Sequence, residues 1–83
     1  MNITVERLKE MVREFFISEY KDTAHYITAY KDDDRVDSKQ TVKCALDRTL
    51  GVVMFVQELG VPYEWVADEY EKFKKSFENL LTN

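Results

Sequence analysis

The sequence predicts an all-α fold, a three-helix antiparallel bundle, and three observations carry that expectation. Apolar residues recur every three or four positions through most of the chain, the period of a helix with one buried side. Only two Gly and one Pro are present, too few for the many turns of an all-β domain. A hydrophobic fraction of 45%, with 13% aromatic residues, is richer than a disordered chain carries. Eighty-three residues make one domain with a single core, burying about 60 to 65% of the surface the unfolded chain exposes. Its margin of stability is then on the order of 5 kcal/mol.

The first helix is expected to begin at Val5, with Thr4 as N-cap and Ile3 and Leu8 at the spacing of a hydrophobic staple. Val5, Leu8, Val12, Phe15 and Phe16 form its apolar stripe. Tyr20, Ala24 and Ile27 continue that stripe and favour one helix to about Tyr30, whereas Asp22 and Thr23 offer the alternative of a break and a new cap. On its polar face Glu6 stands near Lys9, and Glu10 near Arg13.

Residues 31–37 have no apolar period and are rich in aspartate, so they read as a solvated connector. Asp37 and Gln40 have the spacing of a capping box and start the second helix at Ser38. That helix is expected to run to Leu59. Gly60 then supplies a left-handed residue, Val61 folds back on Val56, and Pro62 blocks continuation.

The third helix opens at Pro62 or Tyr63 and runs to about Leu81, with acidic residues early and lysines late, as the macrodipole prefers. Tyr63, Val66, Tyr70, Phe73, Phe77 and Leu80 alternate steps of three and four, a coiled-coil-like seam. Asp68 and Lys72 are placed for an ion pair one turn apart.

A net charge of −4 and a pI near 4.9 give the wrong overall sign for non-specific attraction to phosphate backbones or anionic lipid. The single cysteine makes no internal disulfide, and the charged N-terminus MNITVERLKE does not resemble a secretory leader. The longest apolar run is Leu50 to Val56, well short of the roughly 18 residues of a membrane span. A cytoplasmic, reduced protein without an anchor is expected.

Several motifs are weighed and set aside. VQELGVPYEWV has the Val56, Gly60, Val66 spacing of a helix-turn-helix. The third helix would, however, present Glu64, Asp68 and Glu69 to DNA phosphates, so DNA binding is not expected. Asp32, Asp33, Asp34 and Asp37 suggest a calcium loop, but Val36, Asp37 and Lys43 stand where an EF-hand needs a ligand, a glycine and a glutamate. His25 and Cys44 have no metal-site spacing, and no Glu-x-x-His pair exists. Glu6, Glu10 and Glu14 share a helix face as in magnesium-dependent pyrophosphatases, yet Asp47 and Glu58 are too far apart to complete the cluster. No enzyme, metal or cofactor is expected.

The second helix holds the strongest lead. At about 100° per residue, Val42, Leu46, Thr49, Val53 and Val56 fall on one side and Cys44, Arg48, Gly51 and Phe55 close to the opposite one. A helix apolar on two sides needs two things to bury against. The glycine costs about 1 kcal/mol of helix propensity relative to Ala and admits a close neighbour. Either the first helix bends around to cover this seam, or a second copy or another protein does, with Phe55 as anchor and Arg48 at the rim. Trp65 flanks the third helix's seam and is either a lid on the helical hairpin or a further interface residue. Tyr26 and Tyr30 have the same ambiguity. With Arg35 they are candidates to face a small ligand.

The segment from Ala45 to Leu81 resembles the C-terminal half of small helical proteins of bacteriophages and mobile elements of Gram-positive bacteria. The resemblance lies in its Ala-Leu-Asp-Arg start, the Leu-Gly-Val-Val run and the Leu-Gly-Val-Pro-Tyr-Glu turn. These are folding signals, so the resemblance implies a context and no site residues. The expectation is a non-enzymatic interaction module that forms a homo-oligomer and binds a host or phage protein. The alternative is a nucleotide-like ligand held at a subunit junction.

Overall fold

A computed structural model describes residues 3–82, and they form three helices packed against one another: α1 (Val5–Ala29), α2 (Ser38–Glu58) and α3 (Tyr63–Leu80). The helix ends follow from local chemistry. Thr4 Oγ1 accepts the Arg7 N–H at 3.0 Å and starts α1. Asp37 Oδ1 accepts the N–H groups of Lys39 and Gln40 and starts α2. The Gln40 side chain does not return to the Asp37 backbone as in a full capping box; its Nε2 lies 3.6 Å from Cys44 Sγ instead.

At the end of α2, Gly60 has φ of 111°, its N–H donates to Gln57 O at 3.0 Å, and the Val61 N–H donates to Val56 O at 3.2 Å. These are the two bonds of a Schellman motif. Its apolar half is present as well, because Val56 and Val61 are both buried. The chain is thereby reversed within a few residues, and α3 begins at Tyr63 behind Pro62, which makes no side-chain cap.

α1 is continuous across Asp22 and Thr23. Thr23 is buried on the inner face, so it serves the packing of one long helix and caps nothing. The connector is held by two turns, Asp33 N–H to Tyr30 O and Val36 N–H to Asp33 O, and by the Asp33–Arg35 pair.

The core gathers Leu8, Val12 and Phe16 from α1, Val42, Ala45, Val53 and Val56 from α2, Val61 from the turn, and Val66, Phe73 and Phe77 from α3. Tyr63, expected in the α3 seam, is 64% exposed and lies outside it. α1 and α3 run in the same direction, as Phe16 on Phe73 (ring centroids 4.4 Å apart), Tyr20 on Phe77 (5.8 Å) and Arg13 with Glu69 (3.0 Å) show. α2 runs the other way, with its Arg48 on Glu19 and its Gly60 end beside Val5. The result is an up-down-up bundle.

Candidate interaction surface

The three helices measure 46 × 24 × 16 Å between Cα extremes, with a radius of gyration of 14.2 Å. A compact domain of this length has a radius near 12 Å, so the molecule is long and thin. A helix has a Cα radius of about 2.3 Å and packs about 8 to 10 Å from its neighbour, so the shortest dimension holds two layers and no third. One side of α2 therefore has nothing over it.

α2 turns Val42, Ala45, Thr49, Val53 and Val56 inward. The Thr49 hydroxyl, fully buried, donates to Ala45 O at 2.8 Å and so satisfies itself within the helix. On the outward side Cys44 and Arg48 are exposed, Phe55 is 63% exposed, and a Cβ added at Gly51 would meet nothing within 4 Å. All four residues of the second seam lie on the surface of the single chain, and α1 does not bend to cover them. Leu50 and Met54, the latter 59% exposed, widen the apolar strip, with Leu59 at its end. Asp47 and Glu58 stand in the same strip.

Arg48 is held by α1. Its guanidinium makes a two-point contact with the Glu19 carboxylate, and that contact raises its pKa further above the ordinary arginine value. The pair sets the register of α1 against α2: two turns along, Met11 of α1, itself exposed, comes level with Phe55.

Trp65 is taken up inside the chain. It is half-buried against the core, with Lys9 Nζ and the Arg13 guanidinium 5.4 and 5.2 Å from its ring centroid. Its ring covers the junction of α1 and α3, whereas the expectation placed it over the α2–α3 hairpin or at an interface. Arg13 pairs with Glu69 and not with Glu10, which pairs with Arg7 at 3.0 Å. Of the other expected pairs, Lys9–Glu6 closes at 3.5 Å and Lys72–Asp68 at 3.0 Å.

The candidate ligand-facing residues are partly brought together. An open groove of about 550 Å³ runs between the second half of α1, the connector and the first half of α2. Tyr26, Arg35, Cys44 and Arg48 line it, with Asp22 and Asp37. Tyr30 does not line it but lies against Tyr26, with the two rings tilted and their centroids 4.9 Å apart. Both guanidiniums in the groove are already held by carboxylates of the chain, Arg48 by Glu19 and Arg35 by Asp33 at 2.9 and 3.0 Å. His25 is exposed on the α1 surface. Among the described residues no three His, Cys, Asp or Glu side chains group to hold a metal ion, and no helix is long and apolar enough to cross a membrane.

No protein-family model, curated protein or solved structure matches the chain. The surface is therefore read from its own residues. Sequence reasoning found the seam and the uninterrupted apolar run from Leu50 to Val56, but assigned no role to Met11 on α1. Glu19 as the partner of Arg48 had no local signal, because the two are joined only by the packing of α1 on α2.

Proposed function

We propose that this chain is a non-enzymatic cytoplasmic interaction module that self-associates through the outward side of α2 and, so assembled, binds a protein of a phage or of its bacterial host. The observation that carries the reading is Phe55, an aromatic side chain 63% exposed amid Leu50 and Met54 on a rigid helix. Large apolar side chains exposed together on one side of a helix, here with Asp47, Arg48 and Glu58 among them, are the kind of surface that protein interfaces use. Burying what remains exposed of Phe55 removes apolar surface worth about 1 to 2 kcal/mol.

Sedimentation or light scattering across a concentration series tests the reading. A mass above that of one chain is expected, with Phe55→Asp reverting it to a single chain while the circular dichroism spectrum stays helical. A protein that is a single chain at every concentration, and indifferent to Phe55→Asp, refutes self-association.

The groove supports a second reading, a nucleotide-like ligand between Tyr26, Arg35 and Arg48. Such a ligand would have to displace Asp33 or Glu19 from its arginine, which weakens this reading against the first. A thermal-shift panel of nucleotides decides it, with no shift expected.

A further inference from the structure

We infer that the groove between the second half of α1, the connector and the first half of α2 binds a linear aliphatic diamine. One ammonium sits on Asp22 and the Thr23 hydroxyl, and the other on Asp37. The inference is independent of self-association, and its ligand is opposite in charge to a nucleotide.

Thr23 is the residue that points to a ligand. It is 4% exposed and lines the groove. The other buried threonine, Thr49, turns its hydroxyl back onto the carbonyl of Ala45, four residues earlier. Among the described residues the Thr23 hydroxyl has no such partner, yet no fully enclosed side-chain oxygen or nitrogen is left without one. The little surface that Thr23 keeps therefore includes its hydroxyl, and that surface opens into the groove. A polar atom so nearly enclosed calls for a partner. Its lone pairs can accept from an ammonium.

Charge decides the kind of partner. The two guanidiniums of the groove are already held by carboxylates of the chain, Arg48 by Glu19 and Arg35 by Asp33, so each pair is neutral as a unit. What remains is acidic. Asp22 forms no ion pair among the described residues. Asp37 caps α2 through Oδ1, which offsets the positive end of that helix, and keeps its second oxygen. An anion thus meets no unpaired guanidinium here, and among the described residues no three ligating side chains group to hold a metal ion.

An ammonium needs less. One carboxylate and one hydroxyl suffice to orient it, and Asp22 and Thr23 supply both as neighbours on one helix. Tyr26 and Val36 line the same groove and offer apolar surface to methylenes, while the face of the tyrosine ring attracts the ammonium itself. A second ammonium at the far end of the chain is matched by Asp37, on a different wall. At about 550 Å³ the groove has room for a chain of several carbons.

The test is a titration of the isotope-labelled chain with putrescine at constant ionic strength, followed through its backbone amide resonances, with n-butylamine and magnesium chloride as comparators. Putrescine is expected to shift the amides of residues 22–26 and 36–41 saturably, and to bind more tightly than butylamine. Asp22→Asn and Asp37→Asn should each weaken it by about threefold to tenfold; asparagine at position 37 still caps the helix. Thr23→Val should weaken it as well, whereas Thr23→Ser, which keeps the hydroxyl, should bind as the unaltered chain does. Circular dichroism establishes that each variant is folded. A groove that putrescine does not saturate, that takes magnesium or butylamine equally well, or that is indifferent to Thr23→Val overturns the inference and leaves self-association untouched.

Discussion

Arg48 and Glu19 meet across α1 and α2 with Nε 3.3 Å from Oε1 and Nη2 3.0 Å from Oε2, the two-point geometry that a guanidinium and a carboxylate favour. The Glu19 side chain is only 16% exposed and that of Arg48 58%. The pair is thus half in solvent and contributes modestly to stability, while it fixes where one flank of the exposed strip stands. The same contact occupies the charge that an anionic ligand in the neighbouring groove would seek.

Arg48→Ala is expected to lower the stability of the chain by about 0.5 to 1 kcal/mol, the range for partly exposed pairs. Glu19→Gln is expected to lower it by a similar amount. Combining the two should cost less than their sum, because each removes the other's partner. Urea denaturation of the four proteins reads the coupling, and strict additivity would show that the pair is geometric only.

How much of this was legible in the sequence divides along the range of the interactions. Thr4, Asp37 and Gly60 marked helix ends through bonds to residues a few positions away, and those ends were placed from the sequence to within a residue or so. Thr23 was ambiguous because its cap-forming chemistry is local whereas its burial depends on the other helices. Arg13 was matched to Glu10 on spacing alone, yet α3 offers it Glu69 with the Trp65 ring beneath. Arg48 likewise read as a rim residue because Glu19 is far away in sequence. The two-sided pattern of α2 was legible; that α1 and α3 together cover only one side followed from how three helices of these lengths stack.

The two glycines separate conformational from steric demands. Gly60 has φ of 111°, where an L side chain is strained, so Gly60→Ala should destabilise by about 1 kcal/mol or more. Gly51 is helical with open space before it, so Gly51→Ala should stabilise the isolated chain by about 0.5 to 1 kcal/mol. Thermal melts at low concentration, where chains are separate, show both signs.

The connector gives a pH dependence of definite sign. Hydrogen bonds from the Arg35 guanidinium, then from its backbone N–H, hold the Asp33 carboxyl below its ordinary pKa. A group whose pKa is lower folded than unfolded stabilises the fold above the unfolded value, and loses that contribution as pH falls through the folded one. The ordering of residues 31–37 is therefore expected to be intact at neutral pH and to loosen on acidification below about 3.9. Carboxyl-detected NMR titration should place the Asp33 midpoint below that value, and Arg35→Ala should bring it part of the way back, because the residue 35 backbone N–H still donates to the carboxylate.

Phe77 and Phe55 carry the same side chain in opposite situations, which allows one substitution to test the core and the surface together. Phe77 is fully buried, edge-on to Phe73 at 4.2 Å and under Tyr20. Replacing a buried Phe by Ala costs about 3 to 5 kcal/mol through lost transfer energy and the cavity left behind. Against a total on the order of 5 kcal/mol, Phe77→Ala should leave the chain largely unfolded at 37 °C. Phe55→Ala changes a side chain that touches little of its own chain, and surface substitutions of that kind stay within about 0.5 kcal/mol. Its melting temperature, at a concentration too low for assembly, should match that of the unaltered protein. A large loss of stability in Phe55→Ala under those conditions would mean that the ring is already packed within the single molecule, and the outward side of α2 would then have no anchor to offer a partner.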